Sequence, residues 1–417
     1  MGQTIAQKIL ARSCGRDSVE VGEIISARVD RAMSHENAKL VSDTFKEIGV
    51  PKVWDPTRIV ILFDHRTPAN TIKTAEGHQA VRAFVKRQGI PNFLDMREGI
   101  CHQVMVELGF ARPGELVVGT DSHTTTYGAV GAFSTGIGAT EMAGVWATGE
   151  LWLRVPESMR VRVKGKLPKR VSPKDLVLRW IGDVKADGAD YASVEFTGGA
   201  ISSMGVPGRM TLCNMAMEAG AKAGIVAPDR KVESYLRDRV PGPHTFLSSD
   251  PDAKYRSKVT YDAAKLEPVV AAPHAVDNVH PVGKFAGLEV HQAVLGSCTN
   301  GRLEDLKAAA EVMGDMQVAP HVRMLVIPAS RREMLRAIKA GLIGRFVSAG
   351  AIVLNPGCGP CLGAHQGILA KGERAITSTN RNFRGRMGDP ESEVFLASPE
   401  TVAASAVKGV ITDPREV

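Results

Sequence analysis

The chain has 417 residues, 44% hydrophobic and 23% charged, a globular composition too long for one core and suited to two or three domains. Its net charge of +7 comes from lysines and arginines scattered among acids, and only 5% of residues are aromatic. This excludes a basic block for a membrane surface and a basic stripe with interleaved aromatics for nucleic acid.

Six cysteines are too few for a disulfide framework at this length and indicate a reducing, cytoplasmic compartment. Residues Met1 to Leu10 lack the apolar core and cleavage site of a secretory signal. The longest stretch free of Asp, Glu, Lys and Arg, Ser122 to Thr140, is rich in glycine and threonine and reads as loop and turn, not as a membrane span.

Thr4 to Ala11 places Ile5, Ile9 and Leu10 on one helical face. Glu23 to Val29 alternates as a strand, and the polar patch Ala32 to Asn37, with Ser34, follows it. Ile59 to Phe63 is a buried strand running into Asp64-His65. An Asp-His pair at a strand end either holds an imidazole in one tautomer, poised as an acid, or closes a surface turn. Gly99 to Leu108 opens a helix carrying Cys101 and His102. The strand Leu116 to Gly119 delivers Asp121, Ser122 and His123 into a glycine-rich run. No Gly-x-Ser-x-Gly elbow surrounds Ser122, which argues against a hydrolase nucleophile. Val155-Pro156 closes a first domain of residues 1–157.

A second domain, residues 158–275, opens on the strand-like Met159 to Gly165. Ser172-Pro173-Lys174-Asp175 then caps a helix through Val184. Thr211 to Glu218 reads as a helix with Asn214 and Glu218 on one face. The proline-bearing stretch Glu267 to Gly283 reads as a linker to a third domain, residues 284–417. There Val322 to Pro328 is a strand, Arg331 to Ala340 a helix, and Ser398-Pro399-Glu400 caps a last helix to Lys408. The alternation of strands and helices specifies an α/β fold.

The third domain carries two cysteine groups, Gly296-Ser-Cys298-Thr-Asn300-Gly301 and Asn355-Pro-Gly-Cys358-Gly-Pro-Cys361-Leu-Gly363. Each follows an apolar run, Val294-Leu295 or Ala351 to Leu354, and precedes a helix-like segment, Leu303 to Met313 or His365 to Ala370. Ligand sites of open α/β sheets lie beyond the carboxyl ends of such strands. Three thiolates there leave two metals open. One is zinc held by Cys298, Cys358, Cys361 and His365. The other is an iron–sulfur cubane on the three cysteines, with one iron free to act as a Lewis acid. A further passage, Ile376 to Arg386, brings Asn380, Arg381 and Arg386 to a loop tip. Arginine forks match carboxylates bidentately, and their presence favours the open iron and a hydroxylated di- or tricarboxylic acid.

The motifs GSCTNGRLEDL, GCGPCLG and TSTNRNFRGRMG resemble the aconitase superfamily, and within it the separate large subunits of 3-isopropylmalate dehydratase and homoaconitase. The likeness runs from the first helix to the last residues. It implies three α/β/α domains around one [4Fe–4S] cluster per chain, bound by Cys298, Cys358 and Cys361 with one open iron. It also implies a hydro-lyase acting on a hydroxy di- or tricarboxylate. His65 oriented by Asp64 would be the acid, with His102–Asp121 and His123–Glu218 as further histidine–carboxylate pairs. Ser122, Arg381 and Arg386 would hold substrate. Ser34 would join them, standing where aconitases have a substrate-contacting glutamine. Asn214, Asn300 and Asn380 would bond the cluster or its sulfurs.

A fourth, swivelling domain with the catalytic serine is absent from the motif order, so the resemblance implies a small-subunit partner, in a heterodimer or heterotetramer. Similar large subunits serve homoaconitate, 2,3-dimethylmalate, and maleate or citraconate, and His35-Glu36-Asn37 departs from the 3-isopropylmalate dehydratase pattern. Two other classes are a cluster-sensing RNA-binding protein and a zinc-stabilised structural subunit.

Overall fold

The computed structural model describes residues 2–240 and 244–417. Three mainly parallel sheets carry it. The central strands of the first and third are nearly continuous buried runs, as both faces are covered, whereas Ser158–Lys164 and Ser257–Asp262 of the second alternate toward solvent. In spatial order the first sheet is Asn92–Phe93, Ile59–Ile61, Arg31–Ser34, Leu116–Gly119 and Phe133–Gly136, all parallel. The chain therefore starts in the middle, winds to one edge and returns to the other. The topological switch point lies between Arg31–Ser34 and Leu116–Gly119. A short antiparallel ribbon, Ile24–Arg28 with Glu150–Arg154, lies outside this sheet.

The same winding recurs twice without any repeat in the sequence. The second sheet runs Ala223–Ile225, Ser193–Thr197, Ser158–Lys164, Ser257–Asp262. In the third, the parallel strands run Glu393–Leu396, Arg374–Thr377, Gln292–Gly296, Arg323–Ile327, Ile352–Val353. The third sheet's switch point lies between Gln292–Gly296 and Arg374–Thr377. Loops beyond the first and third sheets are bonded to each other: the Cys358 amide donates to the Asp64 carbonyl at 2.7 Å.

Two expectations need correction. The stretch Glu267 to Gly283 is a hairpin, not a linker: Val269–Ala271 and Val279–Pro281 pair antiparallel and extend the third sheet. Its prolines are tolerated because they sit at strand ends and in the turn. His365 to Ala370 forms no helix. A single turn at Gly359–Leu362 ends at Gly363, φ +65°, and Gly367 at φ +99° keeps the chain irregular.

The core runs through all three units. Met33 and Val60 of the first sheet share one buried cluster with Trp180, Phe196 and Met215 of the second and Val294, Leu325 and Leu396 of the third. The helix Pro173–Val184 has the capping box read from its sequence, Ser172 with Asp175. The other oxygen of Asp175 accepts from the Val269 amide at 3.1 Å, tying that helix to the hairpin. Gly128 lies so close to the second sheet that a Cβ there would stand 1.7 Å from the Gly224 carbonyl oxygen. These contacts place the loop ends of different sheets in fixed register around one site.

Candidate active site

Cys298 leads the site. The strand Gln292–Gly296 stops at Gly296, whose φ of +134° leaves no room for a Cβ beside the Ile327 carbonyl. Ser297 follows with φ +70°, a left-handed conformation that a non-glycine residue adopts at a cost and that marks functional turns. Together they turn Cys298 into the interior. Cys298, Cys358 and Cys361 are all buried. Asn214 donates to Cys298 Sγ at 3.3 Å and Asn380 donates to it at 3.4 Å. Asn380 Oδ1 lies 3.3 Å from Cys361 Sγ, and its amide donates to Asn214 Oδ1 at 2.6 Å. Arg386 donates to the Cys361 carbonyl at 2.8 Å, with its other arm 3.7 Å from Cys361 Sγ.

Asn300 does not reach a sulfur. Its amide donates to Asp305 at 2.9 Å and to the Thr211 hydroxyl at 3.4 Å, because the short helix Ser297–Asn300 turns it toward the next helix. Asn300 thus secures the cysteine loop from behind. Arg302 does the same from the other side, donating to the carbonyls of Cys298 and Thr299 at 2.5 and 2.7 Å.

The three histidine–carboxylate pairs form beside the cysteines. His65 Nδ1 lies 2.7 Å from Asp64 Oδ1, and the other Asp64 oxygen accepts from the Cys101 amide at 2.7 Å. His102 Nε2 lies 2.8 Å from Asp121 Oδ1. His123 Nε2 lies 2.6 Å from Glu218 Oε1. Asp121 also accepts from the His123 amide at 2.8 Å and has an oxygen 3.5 Å from His65 Nε2.

The environments push the three imidazoles apart. Burial opposes a charge on His65, yet Asp64 and Asp121 outweigh it and raise its pKa well above the ordinary value. Burial prevails at His102 and lowers it, whereas Asp121 and Glu218 overcome burial at His123 and raise it. Divergent acid–base behaviour among neighbouring groups is what proton-transfer chemistry needs.

Arg381 donates through Nε to Glu218 Oε1 at 2.8 Å and through its other nitrogen to Ser122 Oγ at 2.9 Å. Ser34 is placed differently from expectation. It is the last residue of its strand, fully buried, and its carbonyl accepts from the Leu62 amide at 3.1 Å, while its hydroxyl has no partner. The residues that reach the site from this strand end are the next two. The His35 ring stacks on His65 with centroids 4.0 Å apart, and Glu36 Oε1 accepts the amides of His65 and Arg66, each at 2.8 Å. The strand-end position that singled out Asp64 and Asp121 applies equally to His35 and Glu36. Cys101, isolated in sequence, is buried beside Asp64. A cavity of 480 Å³ lined by Glu36, Arg66, His78 and Gly363 opens next to this cluster.

The family described as "Aconitase family (aconitate hydratase)" matches residues 7–288 and 282–409. The chain belongs to the aconitase family. It is 52% identical to "3-isopropylmalate dehydratase large subunit 1" of Methanopyrus kandleri, over 100% of this chain and 99% of that one. It is 54% identical to "Probable methanogen homoaconitase large subunit" of Methanothermobacter thermautotrophicus, over 99% and 97%. The fold is that of "Thermococcus kodakaraensis aconitase X (holo-form)", at TM-score 0.54, 11% identity and 91% and 90% coverage. Membership of the aconitase family implies an iron–sulfur cluster, and the names of these relatives imply a small-subunit partner. Among the described residues no helix is long and apolar enough to cross a membrane.

Proposed function

We propose that this chain is the cluster-binding large subunit of a two-subunit hydro-lyase that dehydrates and rehydrates 2-isopropylmalate to 3-isopropylmalate in leucine biosynthesis. The observation that carries this reading is the convergence of three buried cysteines, three histidine–carboxylate pairs and Arg381 on one site. The names of the full-length relatives supply the substrate. A homoaconitase reading stands beside it, since a relative of that name is equally similar.

The donor set fits a cluster better than a zinc ion. Zinc about 2.3 Å from each sulfur needs sulfurs about 3.8 Å apart. Among the described residues the three cysteines and His365 do not form a set with ligand atoms mutually within 4.8 Å. Asparagine donors on the sulfurs are what a sulfur-rich, anionic cluster calls for. Cys298, Cys358 and Cys361 would hold a [4Fe–4S] cluster with one iron lacking a protein thiolate, and when bound it supplies a Lewis acid that polarises the C–O bond.

The remaining chemistry belongs to the side chains. His65, kept protonated by Asp64 and Asp121, donates the proton that the departing hydroxyl takes. His102 with Asp121, and His123 with Glu218, fix the hydrogen bonds around the leaving water. Arg381 turns its fork to a substrate carboxylate, steadied by Ser122, and Arg386 adds positive charge while holding the Cys361 loop. At the first strand end the substrate contact falls to His35 and Glu36 rather than Ser34. Carbon-bound proton abstraction falls to the small subunit, whose swivelling domain brings a serine, in a heterodimer or heterotetramer.

The test is anaerobic iron and sulfide analysis of wild type beside Cys358→Ser, followed by assay of both hydroxy acids with the small subunit present. About four irons and four sulfides per chain, lost in the variant, with turnover of 2-isopropylmalate, support the reading. Turnover of homoaconitate alone transfers it to the second substrate. One zinc without sulfide overturns the mechanism, and salt-dependent RNA binding by the cluster-free chain points to a sensor instead.

A further inference from the structure

Lys174 is fully buried. It lies in the first turn of the helix Pro173–Val184, behind the loop that follows the strand Arg374–Thr377. Its ammonium donates to the Thr379 carbonyl at 2.5 Å and the Ser378 carbonyl at 3.2 Å, and lies 3.6 Å from Met215 Sδ. All three partners are neutral, and no carboxylate among the described residues accepts from it. The adjacent Asp175 faces elsewhere, accepting the amides of Ser172 and Val269 at 2.9 and 3.1 Å.

A buried ammonium with neutral partners alone is an uncompensated charge. Of the other cations near the cysteines, Arg381 bonds Glu218 at 2.8 Å and Arg302 lies 3.9 Å from Asp305, whereas Arg386, 3.7 Å from Cys361 Sγ, shares with Lys174 the lack of a carboxylate partner among the described residues. Burial pulls the Lys174 ammonium down to about 8, and the groups opposing that pull are led by Cys361 and Cys298, ahead of Glu218 and Asp175. Thr379 precedes Asn380, which reaches both sulfurs, and Met215 follows Asn214, which reaches Cys298. Lys174 thus stands directly behind the two asparagines that face the sulfurs.

We infer that Lys174 is a positioning residue that serves, behind Arg386, as a second and fully buried counter-charge of the iron–sulfur site and holds the Ser378–Asn380 backbone against it. This rests on the reading that Cys298, Cys358 and Cys361 bind a cluster. A four-iron core with three thiolates carries net negative charge, and more when reduced. A fixed cation behind the asparagines compensates that charge and favours the reduced state, while the cluster-free protein carries the cation unmatched.

The test uses the full chain, purified anaerobically and reconstituted with iron and sulfide, as wild type, Lys174→Met, Lys174→Gln and Lys174→Arg. Three quantities are read: the reduction potential by titration followed by EPR, the rate at which a chelator bleaches the visible absorbance, and thermal unfolding of the cluster-free protein. In Lys174→Met and Lys174→Gln the potential shifts down and bleaching is faster by about tenfold or more. Lys174→Arg keeps the charge and restores the potential. Cluster-free Lys174→Met loses the donor to two carbonyls together with the charge, so the charge is read from Lys174→Gln, which keeps a donor and unfolds at or above the wild-type temperature because an unmatched buried charge is gone. Lys174→Gln retains a donor for the carbonyls without charge, and decides the question through the potential should Lys174→Met not fold. An unchanged potential in the neutral variants, or cluster-free Lys174→Gln unfolding well below wild type, overturns the inference and leaves a packing role. A wild type that takes up no iron and sulfide overturns the cluster reading, and this inference with it.

Discussion

His123 Nε2 lies 2.6 Å from Glu218 Oε1, and that same oxygen accepts from Arg381 Nε at 2.8 Å. His123 comes from the turn after a strand of the first sheet, Glu218 from the end of a helical segment of the second unit, and Arg381 from a loop of the third sheet. One buried oxygen joins three separately wound units.

Glu218→Gln tests that junction through stability. Burial disfavours the Glu218 carboxylate, but His123 and Arg381 outweigh it and hold its pKa below the ordinary value. A depressed carboxylate contributes stability above its unfolded pKa of about 4.3 and loses it as pH falls through the folded value. His123, raised in the fold, contributes below its unfolded value of about 6.5 and loses that as pH rises through the folded value. Glu218→Gln leaves the partly buried Arg381 guanidinium without its anion and His123 with Asp121 alone, and costs about 3 kcal/mol at pH 7. Urea unfolding of the cluster-free chain measures this, and the difference from wild type shrinks below pH about 4. A difference that persists undiminished in acid would mean packing, not charge.

Asp64→Asn tests the proton-donor role proposed for His65. Asp64 is fully buried and keeps His65 charged against the cost of its own burial. In the wild type the basic limb of kcat/KM therefore lies well above the ordinary histidine value of about 6.5. With asparagine the imidazolium loses its nearest anion, and the limb moves down by about one unit or more. Activity at pH 8 falls further than activity at pH 6. The pH profile of the assembled two-subunit enzyme reads this, and an unmoved limb would remove His65 from the acid role.

Gly296→Ala probes the turn that aims Cys298. A Cβ there meets the Ile327 carbonyl oxygen at 2.0 Å, in a backbone at φ +134° that side chains rarely adopt. Strain of this kind costs about 1–3 kcal/mol before the clash is counted. The variant unfolds at lower urea and binds less iron per chain, because relief of the clash moves the cysteine loop. Wild-type iron content in a destabilised Gly296→Ala would show that the loop tolerates the shift.

The site residues that were legible sit at the ends of fully apolar strands. Ile59–Ile61 leads to Asp64 and His65, and Leu116–Gly119 leads to Asp121 and His123. An uninterrupted hydrophobic run announces a covered strand, and its first polar residues fall where an open sheet binds ligands. The pairing of His123 with Glu218 was not legible from spacing, since the two are 95 residues apart, and it came from family likeness. Lys174 carried no local signal: lysine is ordinarily exposed, and its burial is imposed by a loop more than 200 residues later. The hairpin of Val269–Ala271 was hidden by three-residue strands and flanking prolines. Glycines at positive φ defeated the helix expected after Cys361.

Arg381→Lys separates substrate binding from architecture. The guanidinium reaches Glu218 and Ser122 through different nitrogens, a fork that a single ammonium cannot reproduce. Lysine keeps the charge beside Glu218, so the cluster-free chain keeps most of its stability and the cluster its iron. The bidentate contact proposed for a substrate carboxylate would be lost, and charge-assisted hydrogen bonds are worth about 1.5–3 kcal/mol. This translates into a loss of about 10–100-fold in kcat/KM, appearing mainly as a higher KM if the contact is already made in the ground state. Ser122→Ala removes only the support for the fork and costs severalfold less. Steady-state kinetics of both variants, with iron content measured alongside, decide the matter. A KM for Arg381→Lys within about twofold of wild type would place the substrate carboxylate elsewhere, with Arg386 and the cavity beside Glu36 as the next groups to change.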